Sequence, residues 1–126
     1  MTKEGMPFIA AVDDDFRIRE SMASLLESAG YAPLVFSSAE DFLLSGALAT
    51  AMCVITDVRM PGMNGIELQR RIRRERPRLP VILISAHHDA EVRQTAIHEG
   101  AVDVLYKPFD ATDLLTIIQS VLTKSR

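Results

Sequence analysis

Ala51-Met52-Cys53-Val54-Ile55-Thr56-Asp57 is a short apolar run that closes on a carboxylate. An earlier run of the same kind, Phe8-Ile9-Ala10-Ala11-Val12, closes on three acids, Asp13-Asp14-Asp15. Runs of this length and composition read as strands, and two strand ends that both carry acids point to one shared edge. In an open parallel sheet, ligands bind in the crevice outside the carboxyl ends of the strands, where acids from separate strands can converge on a cation or a phosphate.

Outward from these two runs the alternation repeats. Strand-like runs are expected at 8–13, 31–36, 51–57, 80–85 and 101–106, each followed by an amphipathic stretch. That succession is the pattern of βα units around a parallel sheet. Ile18, Met22, Leu25, Leu26 and Ala29 recur at helical spacing after an acidic N-cap, and Gly30 stands where a helix would stop. Ser38 and Asp41 have capping-box spacing ahead of Phe42 and Leu43, with Gly46 closing the run. A third helix starts near Asn64-Gly65 with Glu67 three residues on, buries Ile66, Leu68 and Ile72, and ends before Pro77. A fourth, short helix opens at Asp89, presents Val92, Ala96 and Ile97, and closes at Gly100. The fifth opens at Asp110 and carries Leu114, Leu115, Ile118, Val121 and Leu122 on one stripe. Right-handed crossovers between parallel strands make this a (βα)5 sandwich.

At 126 residues the chain is expected to form one domain over 1–126, with 123–126 as the place where a linker to a further domain could open. Its 48% hydrophobic and 25% charged residues are ordinary for a soluble protein, and no segment approaches a spanning helix or a secretory leader. The single cysteine, Cys53, lies in an apolar run and excludes a disulfide or cysteine-rich metal site within the chain. A cytoplasmic location is expected. A net charge of -3 gives no general attraction to nucleic acid or to a membrane surface.

The residue types at the strand ends belong to one chemistry. Asp13, Asp14 and Asp57 supply hard oxygen ligands, which suit Mg2+, with Mn2+ as a substitute. Ser85 closes the fourth run and Lys107 the fifth, bringing a hydroxyl and an ammonium to the same edge. A phosphoryl group on an aspartate needs a cation against repulsion, a lysine on its oxygens and a hydroxyl donor. Because side chains alternate along a strand, Asp13 and Asp14 are not expected to reach the site equally. Singly, each residue has a plainer role. An aspartate after a strand is usually a turn former or helix cap, and a lysine a solvated charge. Jointly, four strand ends carrying these types outweigh that reading.

Val12-Asp13-Asp14-Asp15, Asp57-Val58-Arg59-Met60-Pro61-Gly62-Met63-Asn64-Gly65, Ser85-Ala86 and Lys107-Pro108-Phe109, in this order, closely resemble the response-regulator receiver domains of two-component signalling. Phe36 to Leu43 and Gly100 to Phe109 further resemble the FixJ-type branch. The resemblance implies a doubly wound, flavodoxin-like sheet with strand order 2-1-3-4-5. It implies that Asp57 accepts a phosphoryl group from a sensor histidine kinase. Asp14, Asp57 and the Arg59 backbone carbonyl would ligate Mg2+, with Asp13 assisting through water. Ser85, Ala86 and Lys107 would form the phosphoryl-binding and switch positions, with backbone amides after Asp57 also on phosphoryl oxygens, and Lys107–Pro108 would be cis. Phosphorylation would switch a surface of the fourth helix, fifth strand and fifth helix, promoting a homodimer and controlling transcription through an effector domain outside this chain. No enzymatic activity is implied beyond the domain's own phosphorylation and dephosphorylation.

Two positions depart from the family pattern. Ser85 stands where threonine is commoner, which keeps the donor and loses the methyl that stiffens χ1. Val104 stands where an aromatic ring usually turns inward on activation, so relay must use another element, such as the backbone around Ser85-Ala86-His87 and the fourth helix. The arginines 70, 71, 73, 74, 76 and 78 read as a solvated helix end rather than a nucleic-acid site, since no aromatic residues interleave with them. His87 and His88 read as loop residues, and His98 as a helix-end cation. Two other functions compete. A Mg2+-dependent phosphatase of haloacid-dehalogenase type would use Asp13 as nucleophile and Asp15 as acid/base, but leaves the Asp57–Gly65 motif unexplained and has no room for a substrate cap. A scaffold that no longer switches would fit Val104, but not the intact acids and Lys107.

Overall fold

The computed structural model of the protein describes residues 8–124. Five strands alternate with five α-helices: β1 (Phe8–Val12), α1 (Phe16–Ser28), β2 (Ala32–Phe36), α2 (Ala39–Ser45), β3 (Cys53–Asp57), α3 (Gly65–Glu75), β4 (Val81–Ser85), α4 (Ala90–His98), β5 (Asp103–Tyr106) and α5 (Ala111–Lys124). A single 3-10 turn at Ala47–Ala49 joins α2 to β3. All pairings are parallel, and the strand order is β2-β1-β3-β4-β5.

Each strand is shorter at one or both ends than its apolar run. Ala51 and Met52 precede β3, and Met52 is exposed; Ala101 and Val102 precede β5. The side chains of the central strands alternate between two cores. Ala10, Val12, Val54, Leu83 and Val104 pack toward α2, α3 and α4. Ile9, Ala11, Cys53, Ile55, Ile82 and Ile84 pack against α1 and α5. A fully buried Leu or Ile contributes about 1.5–3 kcal/mol, so Leu26, Leu68, Ile72, Leu114 and Ile118, all at most 1% exposed, fix the helices on both faces. Phe42 seats α2 by meeting Phe36 edge-on, with ring centroids 5.4 Å apart.

The caps explain where helices begin. Asp15 accepts from the Arg17 amide at α1, and Asp89 from the Glu91 and Val92 amides at α4. Asn64 and Glu67 form a complete capping box at α3. At α2 only half of the expected box is present: Ser38 accepts from the Asp41 amide, while the Asp41 carboxylate turns to the Ser37 hydroxyl, a competing donor at 3.2 Å. Ile97, expected on the buried stripe of α4, is 41% exposed; the short helix needs only Val92 and Ala96 against the sheet. α5 runs on through Lys124, so the first half of the tail expected to open a linker is helical; Ser125 and Arg126 lie outside the described residues.

The two outer strands differ from the central three. β2 contains Pro33 and leaves Leu34 and Val35 partly in solvent. On β5, the Val104 amide donates to Asp103 Oδ1 and the Val104 carbonyl accepts from Arg93 of α4.

Candidate functional site

The register brings Val12 beside Thr56, Asp57 beside Ile84 and Ser85 beside Tyr106, so the carboxyl ends of β1, β3, β4 and β5 share one edge of the sheet. β1 stops at Val12, which places both Asp13 and Asp14 beyond the strand and frees them from its alternation. Each of Asp13, Asp14 and Asp57 offers a carboxylate oxygen, and these three oxygens lie within 4.8 Å of one another. Asp14 is exposed, while Asp13 and Asp57 are buried.

Asp13 is held on every side. Its amide donates to the Phe36 carbonyl, its own carbonyl accepts from Arg19, and its two carboxylate oxygens accept from the Asp15 amide at 2.9 Å and from Lys107 Nζ at 3.1 Å. Lys107 Nζ also lies 3.5 Å from Asp57 Oδ2, so one ammonium bridges the two buried acids. The Lys107 backbone is fixed by donation of its amide to the Ser85 carbonyl at 2.8 Å, and the Lys107–Pro108 peptide is cis. Asp57 ends β3, and immediately after it the Val58 amide donates to Ile84 and the Val58 carbonyl accepts from Gly65. That last contact requires glycine: a Cβ on residue 65 would stand 2.3 Å from the Asp57 carbonyl oxygen.

Burial and the neighbouring Asp13 charge raise the Asp57 carboxyl above the usual aspartate value, against the pull of Lys107. Burial alone would lower the Lys107 ammonium, but its bond to Asp13 and the charges of both acids carry it above the usual lysine value. An ionised Asp57 is therefore under repulsion that one lysine does not cancel. A small divalent cation would cancel it, and three carboxylates offering hard oxygens at this spacing fit Mg2+. Burial pushes the Cys53 thiol up to about 12, which leaves it an inert core residue.

Ser85 is buried, and its hydroxyl is engaged locally. Oγ donates to the His87 carbonyl at 3.0 Å and accepts from the His87 amide at 3.1 Å. Ala86 follows it into the exposed β4–α4 turn. Val104 is 2% exposed and packs in the core under α2, α3 and α4. The neighbouring Tyr106 stacks on His88, with ring centroids 4.1 Å apart. Asp15, the acid/base of the phosphatase alternative, is instead the N-cap of α1.

Several contacts were not visible in the sequence. Glu40 on α2 accepts from the Met63 amide in the β3–α3 loop. Arg93 binds both Val104 and Asp103. The arginine run is not uniformly solvated: Arg70 pairs with Glu99, Arg71 with Glu75, and half-buried Arg76 donates to the carbonyls of Leu48 and Ala51.

Three carboxylates and a lysine over a sheet of order 2-1-3-4-5 define a receiver-type α/β domain. The family described as response regulator receiver domain matches residues 9–119, and the chain belongs to it. It is a receiver domain of a two-component response regulator. The transcriptional regulatory protein FixJ of Bradyrhizobium diazoefficiens is 36% identical over 125 residues, covering 99% of this chain and 60% of that protein. FixJ of Azorhizobium caulinodans is 38% identical over 122 residues, covering 97% of this chain and 57% of that protein. The chain thus spans about three-fifths of the length of these curated relatives. A receiver domain structure from Clostridium thermocellum superimposes with a TM-score of 0.89 at 30% identity, covering 95% of this chain and 97% of that one. No helix among the described residues is long and apolar enough to cross a membrane.

Proposed function

We propose that Asp57 is the phosphoacceptor of this receiver domain, taking a phosphoryl group from a sensor histidine kinase. The observation that carries the reading is the meeting of the Asp13, Asp14 and Asp57 oxygens within 4.8 Å, with Lys107 bridging two of them. A carboxylate oxygen of Asp57 forms the new O–P bond as the P–N bond of the phosphohistidine breaks, and the electron pair leaves on the imidazole. Asp14 and Asp57, with the Arg59 carbonyl, would hold Mg2+ directly, and Asp13 would act through water, consistent with both its oxygens being engaged. Bound there, the cation would neutralise charge on the acceptor and on the incoming phosphoryl group. Lys107 supplies a fixed positive charge to the same oxygens, and the Ala86 amide a further donor.

A serine hydroxyl has one proton to give. For Ser85 to donate to a phosphoryl oxygen, it must surrender its bond to the His87 carbonyl. That frees the β4–α4 turn, whose next residue, His88, rests on Tyr106 of β5. With valine at 104, this turn is the route by which phosphorylation would reach the surface of α4, β5 and α5. An open groove of about 910 Å³ on the α4–β5 part of that surface, bordered by His88, Arg93, Ile97 and Tyr106, is where a second phosphorylated copy would dock. The domain would work in the cytoplasm and control transcription through an effector domain outside this chain, without itself contacting nucleic acid.

Acetyl phosphate with Mg2+ tests the acceptor. Wild-type protein should gain one phosphoryl mass, and Asp57→Asn should gain none, a loss of at least about 100-fold in rate. Equal uptake by the two proteins would remove Asp57 from the role.

A further inference from the structure

We propose that Glu40 is a positioning residue of the acceptor site: its carboxylate fixes the β3–α3 loop that carries Arg59, and so sets the loop's readiness to receive the divalent cation and the phosphoryl group. The inference rests on the acceptor reading of Asp57.

The loop is anchored at its two ends and nearly bare between them. Val58 is tied to β4 and to the start of α3, and Asn64 caps α3. Among the described residues, the backbone from Arg59 to Gly62 makes no hydrogen bond, and the Met60 side chain, sunk in the core, is its apolar anchor. The one hydrogen bond among the described residues that ties residues 59–63 to another helix or strand is the Met63 amide donating to Glu40 Oε2 at 2.8 Å, across 23 residues of sequence.

Gly62 marks how closely the carboxylate is seated. It adopts φ +76, which calls for glycine, and a Cβ there would lie 2.6 Å from Glu40 Oε2, so a side chain at this position would push the carboxylate from its seat. Glu40 sits in the first turn of α2, a helix fixed by the Ser38 cap and by Phe42 in the core. The Met63 amide holds the Glu40 carboxyl below the usual glutamate value, so the acceptor is ionised throughout the neutral range. Glu40 is not one of the three clustered acids. Its reach is to the loop, where it restrains a segment that has no ladder of its own.

Three substitutions at this exposed position separate reach from charge. Gln keeps an oxygen that can accept from Met63, Asp keeps the charge and loses the reach, and Ala loses both. Mg2+ affinity by calorimetry, phosphoryl uptake from acetyl phosphate, and hydrogen exchange at the Met63 amide are the readouts. Glu40→Ala and Glu40→Asp should weaken Mg2+ binding and slow uptake by roughly three- to ten-fold, with faster exchange at Met63, while Glu40→Gln stays within about two-fold of wild type. Wild-type Mg2+ binding and uptake in Glu40→Ala would overturn the proposal. So would Glu40→Gln failing as badly as Glu40→Ala, which would assign the effect to charge alone. Asp57→Asn, run in parallel, isolates the underlying reading: undiminished uptake there removes the acceptor site and this inference with it, whatever Met63 exchange shows.

Discussion

The β1–β3 half of the sheet edge and the β4–β5 half are built differently. At β1 and β3 the acids are assembled: Asp13 is held through its amide, carbonyl and both carboxylate oxygens, and the residue after Asp57, Val58, is tied to Ile84 and Gly65. At β4 and β5 the groups that would report on phosphorylation are occupied with one another, Ser85 with His87 and Tyr106 with His88. On the proposed reading, charge is preorganised at β1 and β3, with Lys107 reaching in from the end of β5, while response would require the Ser85 and Tyr106 contacts to be exchanged. Preorganised charge favours transfer, and exchangeable contacts make two states accessible.

The contrast breaks first where the rigid half is most crowded. Gly65→Ala should cost about 3 kcal/mol by urea denaturation, because the Cβ runs into the Asp57–Val58 backbone, which the sheet and the Val58 hydrogen bonds hold in place. Lys107→Ala comes next. It leaves Asp13 and Asp57 facing each other without their shared cation, and should cost about 1–2 kcal/mol in metal-free buffer after allowance for solvent screening. Saturating Mg2+ should recover part of that loss; no recovery would argue against a cation site among these acids.

Asp57→Asn should act in the opposite sense and more weakly. A carboxyl whose folded value is raised contributes its stability below the ordinary aspartate value, and that contribution is lost as pH rises through the folded value. At pH 7 without metal the wild-type charge is a burden, so the amide should raise Tm by a few degrees, an advantage that shrinks toward pH 4. Thermal melts across that range check the sign. The smallest effect on chemistry belongs to the other half: Tyr106→Ala should leave phosphoryl uptake within about two-fold, while blunting the chemical-shift response of α4 to a phosphoryl mimic. A large loss of uptake would mean that the two halves are not separable.

Strands, helices and acids were readable in the sequence because each leaves a local signature. Apolar runs of strand length, caps such as Asn64 with Glu67, and glycines at helix ends are patterns within a few residues, and acids at run ends inherit their place from the strands. Glu40 left none. On an amphipathic helix one more glutamate reads as a solvated face, and its partner lies 23 residues away in a loop of irregular path. The stacking of His88 on Tyr106 depends likewise on how the β4–α4 turn runs, and Arg76 reads as one of six surface arginines until the 3-10 turn after α2 brings carbonyls to it. Ile97 failed in the other direction: periodicity assigned it to a stripe wider than a nine-residue helix buries.

The outer strands have a consequence for how copies of the domain can meet. An unpaired strand edge invites another chain to extend the sheet. On β2, Pro33 removes a donor from that ladder, and on β5 the Val104 amide and carbonyl are already satisfied by Asp103 and Arg93. Both margins are thus poor templates for strand addition, which guards the sheet against edge-to-edge aggregation and would leave the helix faces to carry the proposed docking of a second copy.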